Sequence, residues 1–154
     1  MNFFKTSSLL SYSIFLAAFL FLSNSLFAQG SLIWETYSSK DSVLIEYCFK
    51  ENNPTRTYKA EYLLFKVTNL SSKTKLVSWD FSATYNSEKC LNCNSNNPEF
   101  HFQNTIKPKS IVEGNVNRYN KGPLEIFYRF TDEKYTKKNT STWKSFELKN
   151  ITIN

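Results

Sequence analysis

The chain has 154 residues, 41% of them hydrophobic and 17% aromatic, with 19 Lys and Arg against 13 Asp and Glu for a formal charge of +6. That length supports one core and one domain. The basic excess is mild and scattered, unlike the clustered Lys and Arg of a nucleic-acid binder, and three glycines leave no material for a phosphate-cradling loop.

The N-terminus reads as an export signal. Lys5 is followed by the apolar run Ser13 to Leu22, ending in Ser23, Asn24 and Ser25, which matches a charged n-region and an h-region. The run is short of the roughly 20 residues that span a bilayer. Ala28 before Gln29 supplies the small residue for cleavage, so residues 1–28 are expected to be a signal peptide and residues 29–154 one domain. No Cys follows the cut, so lipid attachment is not expected. No later stretch is apolar enough to cross a membrane. Cleavage removes six of the fourteen Phe and one charge, leaving +5 from 18 basic and 13 acidic residues. The expected location is periplasmic, cell-surface or extracellular.

Beyond the signal the pattern has period two, as a strand with one buried face requires. Val43, Ile45, Tyr47 and Phe49 alternate with Leu44, Glu46, Cys48 and Lys50. Leu63, Phe65 and Val67, then Val77, Trp79, Phe81 and Ala83, repeat the pattern. Phe100 and Phe102, then Leu124, Ile126, Tyr128 and Phe130, then Phe146, Leu148, Ile151 and Ile153, predict further strands. Less regular runs at Leu32–Tyr37 and Ile111–Val116 complete about seven or eight. The segments between them are rich in Asn, Ser, Lys, Pro and Thr, which are turn formers. No helical stripe of 12 residues is present. The expected fold is all-β, a single antiparallel two-sheet sandwich of Ig-like type, with a small barrel as second choice. Trp79 belongs in the core by its position, while Trp34 and Trp143 stand near strand ends. Lys73 with Lys75, Lys107 with Lys109, and Lys134 with Lys137 and Lys138 read as solvated loop charge.

Three cysteines allow one internal bridge. Cys90 and Cys93 form C-x-x-C in a polar segment, and outside the cytoplasm a disulfide staple is the leading reading. It would stabilise by about 2 kcal/mol, with Cys48 left as a free thiol. A redox-active pair needs a helix N-terminus to lower the thiol pKa, and none follows. Haem attachment needs His at position 94, which is Asn. Cys48, Cys90, Cys93 and His101 are the donors of a Cys3His zinc set, but nothing brings Cys48 to the others, and neither metal nor other cofactor is expected.

His101, the sole histidine, alternates with Phe100 and Phe102 and so faces solvent, away from any catalytic partner. Carboxylate pairs need only meet in space, so hydrolase chemistry stays open. The Asn-x-Ser/Thr pattern occurs at Asn69, Asn139 and Asn150.

Leu26-Phe27-Ala28-Gln29, with the Asn, Lys, Phe and Ser bias, resembles the export signals of small secreted proteins of Bacteroidota. Tyr62–Asn69, Val77-Ser78-Trp79-Asp80, Cys90-Leu91-Asn92-Cys93 and Leu124-Glu125-Ile126-Phe127 resemble an uncharacterised family of short exported Ig-like sandwich proteins from that group. The resemblance implies fold and export, with no activity to carry over. Asp41-Ser42-Val43 is similar to the periplasmic O-glycosylation acceptor of that phylum, which implies a glycan on Ser42.

The expected function is a non-enzymatic binding or envelope-structural module whose partner is an envelope protein or polysaccharide. Trp34, Tyr58, Tyr119, Tyr135 and Trp143 are the candidate exposed contacts. The alternative is a small exported enzyme, either a carboxylate hydrolase or a C-x-x-C redox protein.

Overall fold

The period-two segments become nine strands in the computed structural model, which describes residues 32–52, 58–95, 97–116, 122–132, 134 and 142–154. They are β1 (Glu35–Lys40), β2 (Val43–Glu51), β3 (Ala60–Asn69), β4 (Lys75–Tyr85), β5 (Cys90–Leu91), β6 (His101–Ile106), β7 (Ile111–Glu113), β8 (Glu125–Phe130) and β9 (Trp143–Ile153). A 3-10 turn, Pro98–Phe100, precedes β6. Periodicity in the sequence misses β5, whose two residues are too few to show a period. The segment 1–28 expected to be a signal peptide, Tyr119 and Tyr135 lie outside the described residues.

All pairings are antiparallel and fall into two sheets. In the first, β1, β2 and β3 form a meander, and β2 pairs with Glu61–Asn69 of β3. β7 pairs with Lys66–Thr68 and β8 with Ala60–Leu64 of β3, so they lie end to end along its other edge. In the second, β9 takes one edge of β4, while β6 and β5 lie end to end along the other. The sheets do not close on each other, so the fold is a sandwich and the barrel is excluded. The connections β3 to β4 and β8 to β9 each cross between sheets, giving the interlocked pairs that B with E and C with F make in Ig domains.

The core follows from the alternation. Ile45, Leu63, Phe65 and Val67 of the first sheet meet Val77, Trp79, Phe81 and Phe102 of the second. Trp79 is fully buried and stacks on Phe102 at 4.0 Å between ring centroids, with Phe65 at 5.8 Å. Area removed from water, at roughly 25 cal/mol per Å², makes such rings the main stabilising term.

Four irregularities interrupt the period among the described strands, and such bulges re-aim side chains. Tyr37 is the extra residue in β1, Tyr128 in β8, and two fall in β9, one at Lys144 and one near Asn150, which has φ 53°. The bulge at Tyr128 reverses the faces of the residues after it. Simple alternation puts Phe130 on the face of Ile126, but its ring lies 4.9 Å from Phe127, on the side opposite the core.

Buried asparagines fasten the ends of the sandwich. Asn69, with no exposed surface, donates from Nδ2 to the carbonyls of Lys73, Ile106 and Lys107 at 2.8, 3.0 and 3.1 Å. Its Oδ1 accepts from the Ser71 backbone N–H and hydroxyl. Asn52 likewise joins the Tyr58 carbonyl to the Ala60 N–H. A buried amide with every group paired holds its surroundings in one arrangement.

Candidate functional site

The Tyr37 bulge and the start of β9 build a groove between the sheets. Its volume is about 460 Å³, within the range of small-ligand sites. The lining is Tyr37, Tyr47, Phe49, Tyr128, Trp143 and Phe146, with Lys144 and Ser145 on β9. These side chains come from four strands in both sheets.

The rings form one connected wall. Tyr37 stacks on Phe146 at 5.8 Å, Tyr47 meets Phe146 edge-on at 5.1 Å, Phe49 meets Tyr128 at 4.8 Å, and Tyr128 meets Trp143 at 5.1 Å. Trp143 and Phe146 also reach Phe81 at 5.2 and 6.0 Å. The groove floor is therefore continuous with the core and rigid. Phe49, 40% exposed, offers its ring outward.

Polar anchors fix the tyrosines. The Tyr47 hydroxyl donates to the Glu35 carboxylate, and this bond, with burial and the nearby negative charge, raises its pKa above the ordinary tyrosine value. Tyr37 Oη accepts from the Leu148 backbone N–H at 2.8 Å. Two adjacent rings are thus held in orientation from their far ends.

Of the rings singled out from sequence, Trp34 is half-buried with the Lys66 ammonium 4.6 Å from its centroid, and Lys66 pairs with Glu46 at 2.9 Å. Tyr58 is half-buried against Phe130 at 5.7 Å. Trp143 corrects its expectation, because at 8% exposure it packs on Phe81 and Tyr128 as part of the groove floor. These three do not gather into one exposed cluster. Tyr37, Tyr47, Phe49, Tyr128 and Phe146 carry no sequence signal beyond that of strand residues, and only their convergence reveals the site.

Cys90 and Cys93 stand as a close pair with Cα atoms 5.7 Å apart, a span that a disulfide bridges. Their turn is pinned by Asn92 Nδ2 donating to the Phe81 carbonyl at 2.7 Å and by Lys149 Nζ donating to the Cys93 carbonyl at 3.1 Å. Leu91 between them lines a second cleft of about 380 Å³ with Tyr85, Pro98, Phe100, Pro123 and Ile126. Glu99 and Glu125 also border it, but Glu125 Oε1 accepts from the Asn115 N–H at 2.7 Å.

Cys48 is buried on the opposite face of the first sheet, and its thiol pKa is pushed up to about 11 by burial and then by the Glu113 charge. The four donors of the zinc set do not come together, and among the described residues no three His, Cys, Asp or Glu side chains converge. His101 Nδ1 donates to Asp80 Oδ1 at 2.8 Å, and Asn150 Nδ2 donates to Asp80 Oδ2 at 2.9 Å. Ser78, on the same strand face as Asp80, bonds Thr152 at 2.7 Å. Ser42 is exposed at the β1–β2 turn. Asn69 is buried with its amide consumed.

The fold and groove define a two-sheet β-sandwich with an aromatic cleft between its layers. Comparison with family models, with curated proteins and with solved structures finds no match. No helix among the described residues is long and apolar enough to cross a membrane.

Proposed function

We propose that this chain is an exported, non-enzymatic β-sandwich module that binds an envelope protein or polysaccharide through the aromatic groove. The observation carrying the reading is the single wall of rings from β1, β2, β8 and β9, open at Phe49 with Tyr128 half-buried beside it. Aromatic faces supply large contact area at little cost in conformational entropy, because few torsions must be fixed. Export through residues 1–28 places the domain where disulfides form. There a Cys90–Cys93 bridge staples the turn that carries Leu91.

The test is affinity capture from the native envelope with the parent chain and with Phe49→Ala and Tyr128→Ala, each checked for an unchanged fold by circular dichroism. The parent should retain a protein or polysaccharide that both variants lose. An identical captured set with all three removes the groove from the reading. N-terminal sequencing of the secreted protein should begin at Gln29.

A further inference from the structure

Lysines that are far apart in sequence gather at one end of the sandwich. Lys40 ends β1, Lys73 lies in the β3–β4 connection, Lys75 begins β4, and Lys107 and Lys109 lie in the β6–β7 connection. Backbone bonds join these segments: Leu70 N–H to the Ser42 carbonyl at 2.7 Å, Asn69 N–H to Ser110 at 2.9 Å and Lys109 N–H to Ser71 at 3.3 Å. The Asn69 amide ties Lys73 to Lys107 from beneath. Residues 40–42, 70–75 and 107–111 hold five lysines and one carboxylate, Asp41. Amid them stand two aliphatic side chains, Leu70 at 50% and Ile111 at 59% exposure.

We infer that this end docks on an anionic lipid bilayer. The lysines meet the phosphate headgroups, and Leu70 and Ile111 enter the boundary between headgroups and acyl chains. A soluble anionic polymer would use the lysines equally well, but it would give the two aliphatic side chains nothing apolar to bury against. The groove lies toward the other end of the strands, where β2 ends and β9 begins, so docking leaves it facing away from the membrane. The inference stands without the proposed groove ligand.

The test places an environment-sensitive dye on Leu70→Cys and, as a control at the opposite end, on Ser87→Cys, in otherwise identical chains. Emission is read with phosphatidylglycerol–phosphatidylcholine vesicles and with pure phosphatidylcholine. The dye at position 70 should shift to the blue on anionic vesicles only, and the dye at position 87 on neither. Charge removal by Lys107→Gln with Lys109→Gln should weaken partitioning about fivefold per lysine, and Leu70→Ser with Ile111→Ser should weaken it further. An equal shift on neutral vesicles, an equal shift at position 87, or no shift at all overturns the inference. So does tight retention on dextran sulfate that Leu70→Ser and Ile111→Ser leave unchanged while anionic vesicles bind nothing, which would assign the end to a polymer.

Discussion

Tyr37 accepts a hydrogen bond from the backbone N–H of Leu148 at 2.8 Å, 111 residues away, and so ties β1 of one sheet to the open edge of β9 in the other. The bulge in β1 makes this reach available by turning Tyr37 out of its pairing register. The contact also occupies an edge N–H that would otherwise template strand addition. Tyr37→Phe keeps the ring on Phe146 and removes only the acceptor, so urea unfolding should show a loss of about 1 kcal/mol, with faster exchange of the Leu148 amide. Tyr37→Ala should lose a further ~1 kcal/mol or more as the stacked pair goes.

Where the sequence alternates without interruption, its faces can be read directly, as with Val77, Trp79 and Phe81, all buried. At bulges the reading fails, because one extra residue reverses every later side chain: Phe130, beyond the Tyr128 bulge, lands on the face opposite the one its spacing predicts. The groove is illegible for a different reason. Its rings occupy four strands whose adjacency depends on two crossovers, and no local pattern encodes a crossover. The same holds for Lys73 and Lys107, which read as isolated loop charge until Asn69 is seen to bind the carbonyls of both.

Gly114 sits where chain density leaves no room for a side chain. A Cβ there would lie 2.3 Å from the Leu124 carbonyl oxygen, which itself accepts from the Phe65 N–H. Since the obstacle is backbone, relief requires moving the segment after β7 away from the start of β8, which disturbs the bonds both make to Phe65. Gly114→Ala should lower stability by about 1–3 kcal/mol in denaturant titration, whereas Gly122→Ala, with nothing within 4 Å, should be close to neutral.

Cys48 makes the alkaline limb of stability testable. Its pKa is raised to about 11 in the folded chain by burial and by Glu113, above the ordinary thiol value of about 8.5. Folding therefore favours the protonated thiol, and that contribution is complete below about pH 8.5 and is lost as pH rises toward 11. Melting temperature should fall across this window in the parent and fall less in Cys48→Ala. At pH 8 a thiol reagent should find no reactive cysteine in the native chain and one after denaturation without reductant, if Cys90 and Cys93 are bonded.

Asp80 governs the acid limb. The Asn150 amide first, and His101 second, hold its carboxyl below the ordinary aspartate value. A depressed pKa contributes stability that is present above the unfolded value of about 3.9 and is lost as pH falls through the folded one. The carboxylate joins three strands at once, since Asp80 is in β4, His101 in β6 and Asn150 in β9. Protonating it should loosen β6 and β9 from β4 together rather than fray one strand. Acid titration followed by amide exchange should therefore show the edges of β6 and β9 opening in the same pH range, below about 4. Asp80→Asn should remove most of that pH dependence while lowering stability at neutral pH, because a neutral amide pairs less strongly with His101. If β6 opens without β9, the two bonds act separately and the carboxylate is no shared pin.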